Sequence, residues 1–229
     1  MAHSSHCAEQ NNAGIQGKGG GKILAGPADN WSPVFSVNVF GAVNIIKAFV
    51  PGMISAGPLS SGLKSYVVTT SSVVGLLNHN IGPYSVSKMA ATAVCEQFAI
   101  ELEEMGPSAA HISPHSLHPT VAATGFLTAR DSDGSKSDAS GALVKLVGDG
   151  GMHAQDIVDG LFAGLDADKY YIIVDDVQDI PTAEQLAVRV GDQINGRRPS
   201  RAQQLGQLLK LLDPTAYAQR MERQKVARM

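Results

Sequence analysis

The 229-residue sequence predicts an α/β fold, a parallel sheet with helices layered against it. Three observations carry that expectation. Short β-branched runs at residues 65–70 and 170–174 alternate with long stretches whose apolar residues recur at helical spacing. Strands alternating with long helices imply crossover units, which join parallel neighbours. The composition, 44% apolar and 17% charged, is that of an ordinary globular chain able to fill one core.

The elements follow in order. Residues 1–30 are glycine-rich and polar with no sustained periodicity, and read as a loop-rich N-terminus. From Trp31, the series Val34, Val37, Phe40, Val43, Ile46 and Phe49 predicts a helix over 31–51, ended by Pro51 and Gly52. Asn38, Asn44, Lys47 and Pro51 interrupt this apolar stretch, which argues against a membrane span. Residues 65–70 read as a buried strand. Pro83 suits the first turn of a helix, and Ala90, Val94, Phe98 and Leu102 carry that helix to Met105. Residues 111–117 form the next strand, where Pro114 suggests an edge position or a distortion. The polar stretch 131–140 reads as a mobile flap. Ile157, Leu161 and Leu165 place a helix over 154–165, and 170–174 is a further strand. Two more helices are expected over 182–194 and 200–212, the second packing through Leu205, Leu208, Leu209 and Leu212. The whole, 1–229, reads as a single domain with a helical C-terminal extension over 181–229.

Several functions are disfavoured. A net charge of −3 argues against a general nucleic-acid binder. Cys7 and Cys95 are the sole cysteines, so no disulfide framework is implied, and a cytoplasmic setting is expected. The beginning, with His3, His6 and Cys7, lacks a basic-then-apolar leader pattern. His111 and His115 would share a strand face while His118 points away, which suits ordinary histidines better than a metal site. Asp131, Asp133 and Gly134 are too closely spaced for a calcium loop. Arg197, Arg198 and Arg201, with Arg220, Arg223 and Arg228, suit a solvated helical face.

Chemistry concentrates elsewhere. Tyr84 and Lys88 stand four apart, so a phenol and an ammonium share one helix face. Ser71 and Ser72 follow the strand 65–70, placing hydroxyls at its carboxyl end, where α/β proteins set their ligands. An ammonium beside a phenol, whose free pKa is about 10, would favour the phenolate and make it a usable base.

At these residues the sequence resembles the short-chain dehydrogenase/reductase family. Five segments agree in order over roughly residues 11–175. They are Asn11-Asn12-Ala13-Gly14, Asn38, the serine segment Thr70 to Gly75, Tyr84 with Lys88, and His118-Pro119 with Thr124. The resemblance implies NAD or NADP as cofactor and a small alcohol or carbonyl as substrate. It implies Tyr84 as general acid/base, and Lys88 both beside it and on the nicotinamide ribose. It implies Ser72 on the substrate oxygen and Asn38 fixing a proton-relaying water. Asn12, Ala13 and Gly14 would line the adenosine side, while Pro119 and Thr124 join the cofactor contacts, Thr124 at the carboxamide. Ser72 is preferred because it stands three residues before Gly75. Ser71 stays open, since Ser72 to Tyr84 is one residue shorter than the family spacing.

The family's TGxxxGxG loop is not found. Gly17 to Lys22 fails GxGxxG because Lys22 takes the last glycine's place, and Gly148 to His153 fails at His153. The expectation is therefore a Rossmann-like sheet lacking its first βαβαβ half, binding its cofactor weakly. Two functions follow: an oxidoreductase, or a catalytically silent remnant that serves as an interaction or dimerisation module. The helices over 31–51 and 83–105 could pack across a two-fold axis in a homo-oligomer.

Overall fold

The computed structural model describes residues 7–17, 23–24, 26, 28–77, 81–120, 122, 152–174, 186, 189–191 and 193–195. The chain divides into two compact units, Met1–Val174 and Asp175–Met229. In the second unit Leu186, Arg189 to Gly191, Gln193 and Ile194 are helical, within the span expected at 182–194. The flap at 131–140, Thr124 and the helix at 200–212 lie outside the described residues.

Four strands build the sheet of the first unit. They are β1 (Cys7–Asn11), β2 (Ser65–Thr70), β3 (Ile112–Pro119) and β4 (Tyr171–Val174), in that spatial order. Every pairing is parallel, with Asn11 opposite Thr69, Thr69 opposite Ser116, and Ser116 opposite Tyr171. β1 corrects the loop expected over residues 1–30. Its sequence, Cys-Ala-Glu-Gln-Asn, has neither an apolar run nor alternation, so it is a strand because β2 supplies a partner.

Helices cover both faces, as the crossover pattern requires. A helical run begins with a 3-10 turn and α1 (Trp31–Phe35), passes through a π turn (Ser36–Phe40) and continues as α2 (Gly41–Ala56). Pro51 does not end it. The carbonyl that Pro51 leaves without a donor is that of Lys47, an exposed residue that water can serve. The end comes at Gly57, whose φ of +72° suits glycine. By length and composition the run from Ala28 to Ala56 is sufficient to cross a membrane, so its polar residues do not disqualify it. Within the fold its Val34, Asn38, Val39, Ala42 and Val50 are buried.

α3 (Pro83–Met105) has the bounds its sequence suggested, with Pro83 in the first turn and Gly106 at φ +60° after the last. On its side of the sheet Val50, Val67, Phe98, Leu102, Ala109 and Ile112 form one apolar core. On the other side α4 (Ala154–Asp166) packs Leu161 and Leu165 on Val68, Leu117, Ile172 and Val174. Each such aliphatic contributes about 1.5–3 kcal/mol by leaving water.

β3 is an interior strand, which corrects the edge position inferred from Pro114. Ser71 N–H donates to the Leu117 carbonyl and Ser65 N–H to that of His111, so odd-numbered β3 residues bond β2. Ser116 N–H donates to Tyr170, so even-numbered ones face β4. Pro114 faces the β4 side two residues before that pairing begins, where no carbonyl awaits its missing N–H.

Candidate active site

The carboxyl ends of β1, β2 and β3 lie side by side, and each delivers part of one cluster. β1 runs into Asn12, Ala13 and Gly14; β2 into Ser71 and Ser72; β3 ends at His118 and Pro119. The first turns of α3 set Tyr84, Ser87 and Lys88 against them, all buried.

Tyr84 and Lys88 meet as their spacing requires. Lys88 is 3% exposed, and its Nζ lies 5.9 Å from the centroid of the Tyr84 ring. Nζ also donates to the Thr70 carbonyl at 2.7 Å, which fixes the ammonium at the end of β2. A β-carbon at Gly14 would stand 3.3 Å from Nζ and 3.5 Å from Asn38 Oδ1, so bare backbone faces both groups there.

The two serines separate cleanly. Ser72 hydrogen-bonds the Tyr84 phenol, and its Oγ donates to the Pro119 carbonyl at 3.3 Å. Ser71 turns away: its Oγ donates to the Lys88 carbonyl at 2.9 Å and meets Thr92 Oγ1 at 2.8 Å. It ties the end of β2 to α3.

Asn38 sits on the π turn, whose wider winding is a common device at functional sites. Its Oδ1 accepts from Ile15 N–H at 2.8 Å. Its Nδ2 donates to the Ile15 carbonyl at 2.9 Å and to Ser87 Oγ at 2.9 Å. Both amide hydrogens are thereby used, leaving one Oδ1 lone pair for a further donor. Ser87 Oγ passes the connection on to the Tyr84 carbonyl at 2.8 Å. The sequence offers a signal for Ser87, three residues after Tyr84 on the same helix, but assigns it no role.

Asn12 and Ala13 are exposed beside this cluster, and Asn11 anchors their strand by donating from Nδ2 to the Ala42 carbonyl at 3.1 Å. Thr124 is outside the described residues. Burial pushes the Tyr84 phenol up to about 12, while its bond to Ser72 pulls the other way. Burial also brings Lys88 down to about 8. The expectation that Lys88 draws the phenol toward phenolate is thus outweighed by desolvation. Tyr84 is a protonated phenol at neutral pH. His115 holds Lys169 O and Ser113 Oγ, and among the described residues no three His, Cys, Asp or Glu side chains gather as metal ligands.

A family model described as short chain dehydrogenase matches residues 10–133, more than half of the chain. The chain belongs to the short chain dehydrogenase family. A 1-deoxy-11-beta-hydroxypentalenate dehydrogenase of Streptomyces avermitilis is 25% identical over 186 residues, 81% of this chain and 58% of that protein. An uncharacterized NAD-dependent oxidoreductase of Mycobacterium tuberculosis is 36% identical over 107 residues, 46% of this chain and 36% of that protein. Among solved structures, a short chain dehydrogenase/reductase from Burkholderia phymatum in complex with NAD is 26% identical, with a TM-score of 0.70 over 86% of this chain and 69% of that one. A short-chain dehydrogenase from Sphingobium yanoikuyae, in complex with NADPH, shares the fold at 18% identity, TM-score 0.58, over 85% and 66%. The chain therefore spans little more than half of the first of these curated relatives, and about a third of the second. Its parallel sheet with helices on both faces is the Rossmann-like arrangement of the family.

Proposed function

We propose that this member of the family is an NAD(P)-dependent oxidoreductase that interconverts a hydroxyl and a carbonyl on a small molecule. The observation that carries the reading is the contact of Ser72 with Tyr84, with the Lys88 ammonium over the same ring. In the protonated state Tyr84 gives its hydrogen to Ser72 Oγ, which gives its own to the Pro119 carbonyl. A substrate carbonyl entering here takes the Tyr84 proton. The Ser72 hydroxyl then turns from Pro119 to the new phenolate, and the nearby ammonium lowers the cost of that charge. Asn38 and Ser87 hold Tyr84's turn of helix, and the free Oδ1 lone pair of Asn38 can fix a water that returns protons toward Lys88.

The donor set fits a nicotinamide riboside. Among the described residues Lys88 gives one ammonium hydrogen to Thr70, which leaves two suited to ribose hydroxyls. Tyr84, Lys88, Pro119 and Thr124 would hold that end and Asn12, Ala13 and Gly14 the adenosine side. When bound, the nicotinamide exchanges hydride with the substrate carbon. A phenol held near 12 stays protonated at neutral pH, and so meets a substrate carbonyl as a proton donor. Self-association through α2 and α3 is part of the proposal, supported by the exposed Phe49, Ile100 and Met105. A cytoplasmic setting suits the unpaired, buried Cys95 thiol.

The exposed Phe49, Ile100 and Met105 favour the second reading, a silent interaction module. Titration of NADH and NADPH fluorescence, followed by turnover on a panel of ketones and aldehydes, separates the two. The oxidoreductase reading requires binding of one cofactor and turnover that Tyr84→Phe abolishes. No binding at millimolar cofactor, or unchanged turnover in Tyr84→Phe, refutes it.

A further inference from the structure

His118 ends β3 with a ring that is 0% exposed. Its Nδ1 lies 2.9 Å from the Ser72 carbonyl oxygen. A carbonyl only accepts, so Nδ1 carries the proton and Nε2 is left with a bare lone pair. That lone pair is fully buried and meets no hydrogen-bond donor among the described residues. Burying an acceptor unpaired is destabilising, and a leucine or phenylalanine in the same place would avoid that cost. The position is therefore a poor choice for packing, and the ring's one polar contact is where its use must lie.

That contact falls on the residue that touches Tyr84. The Ser72 carbonyl receives two donors, Gly75 N–H at 2.8 Å and the His118 ring. The Ser72 hydroxyl rests on the carbonyl of Pro119, the next residue along. The end of β3 thus grips Ser72 by both its backbone and its side chain. Without the ring, one of the two donors to the Ser72 carbonyl is gone and the hold on its turn is weaker.

We propose that His118 is a positioning residue that keeps the Ser72 hydroxyl in reach of the Tyr84 phenol. Its effect on turnover rests on the oxidoreductase reading above, whereas its effect on the Ser72–Tyr84 contact does not.

The test compares His118→Leu, which removes the donor, with His118→Asn, whose amide can place an N–H near the site of Nδ1. Ring-nitrogen NMR of the wild-type chain should show Nδ1 protonated and Nε2 bare. The ring-carbon resonance of Tyr84, assigned by its loss in Tyr84→Phe, should shift in His118→Leu and return toward wild type in His118→Asn. The melting temperature of His118→Leu should be equal or higher, yet its kcat should fall about 10-fold or more with KM little changed, since a small misplacement at a reacting centre has effects of that size. The opposite ring tautomer, an unmoved Tyr84 resonance in His118→Leu, or equal damage from asparagine and leucine would each overturn the proposal. A wild-type chain without turnover, but with the Tyr84 shift in His118→Leu, would refute the oxidoreductase reading and uphold this one.

Discussion

Replacing Gly75 by alanine should damage the junction between β2 and α3, and the damage can be worked out from the contacts. A β-carbon there would lie 2.1 Å from Ser71 Oγ and 2.9 Å from both the Lys88 carbonyl and Thr92 Oγ1. Ser71 cannot give way without losing its bonds to those same two groups, at 2.9 and 2.8 Å. A buried hydroxyl stripped of partners costs about 1–3 kcal/mol and the overpacking about 1–3 more, so Gly75→Ala should lose about 2–6 kcal/mol. Stabilities of this class run to about 5–15 kcal/mol, so the variant should fold and be measurable by urea unfolding followed by circular dichroism. Ser71→Ala makes room at the same point. The double variant should be more stable than Gly75→Ala alone, with a favourable coupling of about 1 kcal/mol or more. Additive effects, or a neutral Gly75→Ala, would refute the reasoning.

Other outcomes follow from the same structure. His118 is held down to about 4 by burial and by the Lys88 charge, against 6.5 for a free imidazole. Between those values the unfolded chain binds the proton and the folded one does not. Stability is thus fully present above pH 6.5 and falls toward pH 4 by up to about 3 kcal/mol from this group, a slope His118→Asn should remove in paired urea titrations. Because Lys88 loses its proton near 8, kcat for carbonyl reduction should hold through neutrality and decline above about pH 8, whereas Lys88→Ala should be slow throughout and lack that decline. Leu117, 1% exposed at the centre of the sheet, should cost about 2–5 kcal/mol as Leu117→Ala in urea unfolding.

Much of this was legible in the residues. The strand at 65–70 and the helix Pro83–Met105 announce themselves by β-branched density and by a proline opening a helical pattern. The Tyr84–Lys88 pair follows from helix spacing alone. β1 was not legible, since a polar strand is defined by the neighbour it pairs with and not by its own pattern. The helix through Pro51 was missed because a proline's effect depends on whether the deserted carbonyl meets water, which spacing does not reveal. Ser71 and Ser72 are equivalent on paper; only the direction each side chain takes from the strand end divides a clasp on α3 from a contact with Tyr84. The upward push on Tyr84 was hidden for the same reason, since desolvation depends on packing from distant segments.

Pro114 also has a consequence for how the sheet assembles. A β4 that slid two residues toward the start of β3 would set one of its carbonyls against a position with no hydrogen to offer. The misaligned sheet would carry a buried, unanswered oxygen, whereas in the native alignment the Tyr170 carbonyl accepts from Ser116 N–H. One imino acid in an interior strand thus acts as a stop for its neighbour, and it keeps the last strand from zipping up out of step.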